Sequence, residues 1–158
     1  QRMTGAQFYW EGLAWSQDLG ILAVVGAGGA TSMVATSAFP NRWDGSGVYT
    51  PVLSNTANVA ASTSARCQWS RKGRVVTVSG QLTIDPTTTL VATELGISLP
   101  IPCTFSNSSE LGGTACAIVV SEQAGIVADT VNGRASLKYL PTDIAARVFA
   151  FQFSYSIR

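Results

Sequence analysis

Over residues 76–84, apolar or small side chains take every second position: Val76, Val78, Gly80, Leu82 and Ile84. Thr77, Ser79, Gln81 and Thr83 fall between them. A period of two puts the sets on opposite faces of a strand, so the pattern predicts a long, half-buried β-strand. Asp85-Pro86 is expected to stop it, because proline cannot donate to the ladder. The same alternation returns further on, where Phe149, Phe151, Phe153, Tyr155 and Ile157 alternate with Ala150, Gln152, Ser154 and Ser156. That aromatic face must be buried, against the domain's own core or a neighbour. Shorter strands are expected at 47–53, 65–70, 95–99, 113–120, 125–129 and 134–139. Polar loops at 54–64 and 104–111 separate them, and Arg71-Lys72-Gly73-Arg74 reads as a turn. Asn132-Gly133 is the strongest hairpin signal in the chain. No segment keeps a helical period. About eight strands at short spacing predict an all-β fold, an antiparallel β-sandwich of jelly-roll-like type, over residues 45–158.

Residues 1–44 have a different texture. Leu13-Ala14-Trp15-Ser16, the continuous apolar run Ile21-Leu22-Ala23-Val24-Val25-Gly26 and Thr31 to Ser37 read as three strands. Gln17-Asp18-Leu19-Gly20 and Gly26-Ala27-Gly28-Gly29 are the expected turns, which makes a short three-stranded β-meander ahead of the sandwich. Pro40-Asn41-Arg42-Trp43-Asp44-Gly45-Ser46-Gly47 is the expected boundary between the two textures. The chain opens on Gln1-Arg2 without an initiator methionine or a signal-peptide pattern, as a processed product or a piece of a longer chain does.

Composition narrows the function classes. Charged residues are only 12% of the 158 and the net charge is +1, which argues against electrostatic binding of nucleic acid. The longest apolar run, 20–30, is too short and glycine-rich to span a bilayer, so no membrane insertion is expected. With no histidine, Ser-His-Asp and Cys-His triads and histidine-ligated zinc are excluded. Cys67, Cys103 and Cys116 match no zinc or redox spacing. They read as three thiols, with a Cys103–Cys116 bridge as the alternative.

A glycosidase needs two carboxylates across a cleft. The nine acidic residues, Glu11, Asp18, Asp44, Asp85, Glu94, Glu110, Glu122, Asp129 and Asp143, fall almost entirely in turns or at strand ends, where carboxylates are ordinary turn-making groups. No catalytic, cofactor-binding or metal-binding residue is therefore assigned. Arg66, Arg71, Lys72 and Arg74 cluster around one hairpin. They read either as a contact for an anionic glycan or lipopolysaccharide phosphate, or as a hydrated tip that blunts edge pairing. Trp10, Trp15, Trp43 and Tyr49 read as packing groups rather than sugar platforms.

Two stretches carry resemblances. Trp10-Glu11-Gly12-Leu13-Ala14-Trp15-Ser16, with Leu19-Gly20 and the hydrophobic strand after it, then Met33 to Ser37 and Trp43, resembles one repeat of the sialidase-type β-propeller family. The Asp-box of true sialidases is not intact, and no catalytic residue carries over. Gly47-Val48-Tyr49-Thr50-Pro51-Val52-Leu53 is similar to the opening of small β-domains in virion surface proteins of tailed bacteriophages. Gln68-Trp69-Ser70-Arg71-Lys72-Gly73-Arg74 leading into Val75-Val76-Thr77-Val78-Ser79-Gly80, then Leu95-Gly96-Ile97-Ser98-Leu99-Pro100, then Phe151-Gln152-Phe153-Ser154-Tyr155, follow that family's motif order. The resemblance implies a structural virion protein, a tail-fibre or receptor-binding component exposed on the particle. It implies a homotrimer that touches other virion proteins and a host-surface glycan, without cofactor. The alternatives are a capsid decoration or head-fibre protein, a polysaccharide depolymerase with an intersubunit site, and a carbohydrate-binding module of a secreted enzyme.

Overall fold

The computed structural model describes residues 44–157 and the backbone of 9–16, 21–28 and 31–38. By internal contacts the chain divides into two units, Gln1–Asp44 and Gly45–Arg158. In the first, β1 (Tyr9–Ser16), β2 (Ile21–Gly28) and β3 (Thr31–Ala38) form an antiparallel three-stranded sheet in chain order. Gly26, Ala27 and Gly28, expected in a turn, are paired within β2, opposite Met33, Ser32 and Thr31. Gly28 pairs with Thr31, so these residues extend the strand instead of turning it. Trp43, the 17–20 turn and the side chains of Trp10 and Trp15 lie outside the described residues.

The second unit is all-β and antiparallel. Its strands are β4 (Gly45–Tyr49), β5 (Leu53–Ala57), β6 (Val59–Ser64), β7 (Cys67–Lys72), β8 (Val75–Pro86), β9 (Thr93–Ile97), β10 (Leu111–Ala117), β11 (Gln123–Asp129), β12 (Arg134–Tyr139) and β13 (Arg147–Ser156). They form one sheet in the order β4-β7-β8-β13-β10-β11-β12-β9-β5, and β6 pairs with β8 beyond the end of β7. The long strand β8 thus has β13 on one side, and β7 then β6 along the other. β5 lies at the opposite end of the strand order, yet only Asn58 separates it from β6. Neighbouring Cα atoms are about 3.8 Å apart, so the sheet must curl until β5 comes beside β6 on β8, a half-barrel with the core on its inner face.

Alternation fills that core. Val76, Val78, Leu82 and Ile84 point inward from β8, and Phe149, Phe151, Phe153 and Tyr155 from β13. Phe151 and Phe153 stack with centroids 5.8 Å apart, and Tyr139 meets Phe149 edge-on at 4.9 Å. Gly80 takes an inward position because a Cβ there would lie 2.2 Å from Cys67 Sγ. Outward, Ser79 and Gln81 are exposed and Thr77 and Thr83 half-buried, so the strand has the expected register. β8 runs through Pro86 rather than stopping at Asp85, since Pro86 pairs with Val59 at the strand's last position. Asn132-Gly133 does mark a hairpin, with a four-residue loop instead of two: Asp129 pairs with Arg134, and Gly133 closes the loop at φ +60°.

Candidate binding site at the loop end

Register decides which loops share a pole of the sheet. β4 starts at Gly45 opposite Arg71, and β13 ends at Ser156 opposite Val75. The chain therefore enters and leaves this unit at one pole, the tether pole. The 87–92, 118–122 and 140–146 loops all lie at the other pole, because Thr93 pairs with Tyr139, Ala117 with Phe149 and Arg147 with Ile84. The Asn58 turn joins them there, as Val59 pairs with Pro86.

Three clamps weld these loops together. Asn58, held at φ +53° where asparagine is one of the few tolerant side chains, reaches Thr88 O at 2.8 Å and Thr93 Oγ1 at 2.7 Å through Nδ2. Its Oδ1 accepts from Thr87 Oγ1. Leu90 N donates to Pro141 O at 2.9 Å. Glu122, 8% exposed, accepts from Thr142 N at 2.7 Å and from the Thr142 hydroxyl through Oε1. Its Oε2 lies 3.6 Å from Arg147 Nε, and Arg147 also pairs with Asp143. Glu122 Oε2 and Arg147 Nε are buried without a hydrogen-bond partner, so the Thr142 bonds and the ion pairs hold this set, which spans the contact between the 118–122 and 140–146 loops. Burial pushes the nearby Tyr139 hydroxyl up to about 12, and the Glu122 charge adds to the effect.

What the clamped loops show to solvent is aliphatic. Of the ten large hydrophobic residues exposed among the described residues, six are here: Leu90, Val91, Ile118, Val119, Leu140 and Ile144. Val119 is 84% exposed and Leu90 69%. Leu90 also holds φ +56°, a left-handed conformation that costs an L-residue about 1–2 kcal/mol. A leucine kept exposed in that conformation is an outlier of the kind that collects at functional surfaces. Their charged residues, Glu122 and Asp143, are both paired to Arg147, and no aromatic residue occurs in the three loops.

The basic cluster expected from the sequence divides. Arg71, Lys72 and Arg74 sit together at the β7–β8 turn, where Gly73 at φ +60° takes the first turn position and Arg71 Nε donates to Gly73 O at 2.8 Å. Arg66 precedes β7 at its other end, about 15 Å along the strand. At the same tether pole Asp129 organises the β11–β12 hairpin, accepting from Val131 N, Asn132 N, Asn132 Nδ2 and Arg134 Nε. Desolvation opposes its ionisation, but these bonds from Asn132, Arg134 and the backbone outweigh it and hold the carboxyl down at about 2.

Glu122 and Asp143 are the carboxylates that the fold gathers around one arginine. Arg147 stands between them and Thr142 covers Glu122, so they hold loops together and do not face each other across a cleft. No group of three or more metal-ligating side chains occurs among the described residues. Cys67, Cys103 and Cys116 are free thiols, and burial raises the Cys67 thiol above its usual range. No described helix is long and apolar enough to cross a membrane. No family model, no curated protein and no solved structure matches the chain.

Proposed function

We propose that this chain is a structural, non-enzymatic virion protein of the tailed-bacteriophage type, a tail-fibre or receptor-binding component that serves assembly and host-surface attachment. The motif order over residues 47–158 supports the class. The observation that carries the reading is the two-pole arrangement of the second unit. Both chain ends leave by one pole, and a clamped, largely aliphatic loop cluster caps the other. A domain held at one end and finished at the other with a preorganised surface is built to meet something there. Preorganisation cuts the ordering cost of such a contact. The outer face of β8 and β13, where Ser79, Gln81 and Gln152 are exposed and uncharged, suits packing within a larger assembly. A host glycan contact, if made by Arg71, Lys72 and Arg74, belongs to the tether pole.

Two measurements test the reading together. Antibodies against the chain should label the surface of intact particles in electron micrographs. The purified protein, incubated with host polysaccharide, should release no reducing ends. Unlabelled particles, or sugar release that disappears in a single Asp/Glu→Ala variant, would overturn it.

A further inference from the structure

The proposed function leaves open what the loop cluster meets. Charge narrows the choice. Glu122 and Asp143 are already paired to Arg147, and the three loops contain no other ionisable side chain. An anionic partner finds no free cation there, a cationic one meets only the half-exposed, arginine-paired Asp143, and a sugar finds no aromatic plane to stack on. A second aliphatic surface fits best, and this loop cluster, whose half-exposed carboxylate Asp143 is paired to Arg147, is such a surface.

Area points the same way. A stable protein interface takes about 800 Å² from each partner, a little over half of it apolar, which is about 450 Å². A fully exposed Leu, Ile or Val side chain offers about 60–120 Å² of apolar area. Scaled by their exposed fractions of 46–84%, the six side chains supply about 200–450 Å². Ala92, Ala145 and Ala146, exposed in the same loops, and the methyls of Thr88 and Thr89 add to that. The cluster thus reaches what a self-association surface needs, while its loops, fixed by Asn58, Leu90 N and Glu122, lose little freedom on contact.

We propose that this loop cluster is the surface through which copies of the chain meet one another. The inference rests on the assembly role proposed above. It is tested by sedimentation velocity on the full chain over a concentration series up to about 100 µM, the micromolar range being that of modest interfaces. The natural chain should associate with rising concentration. V119D/I144D should weaken association at least about 100-fold, as loss of central apolar contacts does. V119S/I144S should weaken it less and melt like the natural chain, since both side chains are more than half exposed. S79R, on the exposed outer face of β8, should associate normally. Association that survives V119D/I144D overturns the loop-cluster assignment. If it also fails in S79R, the assembly role stands on the sheet face instead. A natural chain that stays monomeric throughout overturns both.

Discussion

The two poles of the second unit are cut from the same strands and finished in opposite ways. At the tether pole charge faces outward. Lys72 and Arg74 are exposed, and the loop at Asp129 is tied by a partly shielded carboxylate to its own hairpin. At the loop pole Glu122 and Arg147 are turned inward and Asp143 is half-exposed. Glu122 is buried beneath the loops it joins, and Leu90, Val119 and Ile144 are left outside. The local tie holds one hairpin in shape, whereas the buried tie holds separate loops to each other. A pole that must keep several loops in one arrangement puts its polar groups below the surface and frees the surface for apolar contact.

The sharpest way to break this contrast is E122A. It removes the acceptor of Thr142 N and of the Thr142 hydroxyl and leaves Arg147 with Asp143 as its remaining partner, so about 3–4 kcal/mol of stability should be lost. Thermal unfolding measures the loss, and amide exchange should speed first in 118–122 and 140–146. Uniform acceleration over both poles would contradict the inter-loop role. N58A comes next. It loses the Thr88, Thr93 and Thr87 contacts and puts alanine at φ +53°, for about 2–3 kcal/mol.

D129A tests the other pole, and about 1–2 kcal/mol should go with its hairpin bonds. Its pH dependence has a definite sign. The folded carboxyl sits at about 2, below the ordinary aspartate value of 3.8, so its contribution is complete well above pH 4 and disappears as pH falls through 2. Melting curves of D129A and the natural chain should therefore converge at low pH, and a constant gap would show that the bonds do not depend on the charge. The smallest effect expected is L90G, which relieves the left-handed leucine and raises stability by no more than about 1 kcal/mol. A lower melting temperature instead would mean that the Leu90 side chain packs in the isolated protein.

Much of the sheet was legible in the sequence because burial on one face leaves a period of two. Val76 to Ile84 and Phe149 to Tyr155 show that period, and their strands have the expected inward residues. Turn length was less legible. Asn132-Gly133 signals a reversal, but Asp129 sets the four-residue loop by gathering Val131 and Asn132 N–H groups. The loop pole was not legible at all. Leu90 and Ile144 sit in polar-looking stretches and Val119 in an apolar run that reads as the end of a strand over 113–120, whereas β10 stops at Ala117, and only strand register brings the three to one end. Asn58 and Glu122 carry no motif either, since a turn asparagine and a loop glutamate are ordinary until their partners are known. Grouping Arg66 with Arg71, Lys72 and Arg74 failed in space for a related reason. Five residues are close in sequence, but on an extended strand they are far apart.

The pairing of β8 with β13 sets an order of events during synthesis. Val75 must wait for Ser156, and Ile84 for Arg147. At 5–20 residues per second, that interval is on the order of several seconds. Until then one edge of the longest strand is open to any other extended segment nearby. The central seam can close only after nearly all of this unit has left the ribosome, and a chain cut before Phe149 would retain β7 and β8 with no seam to join.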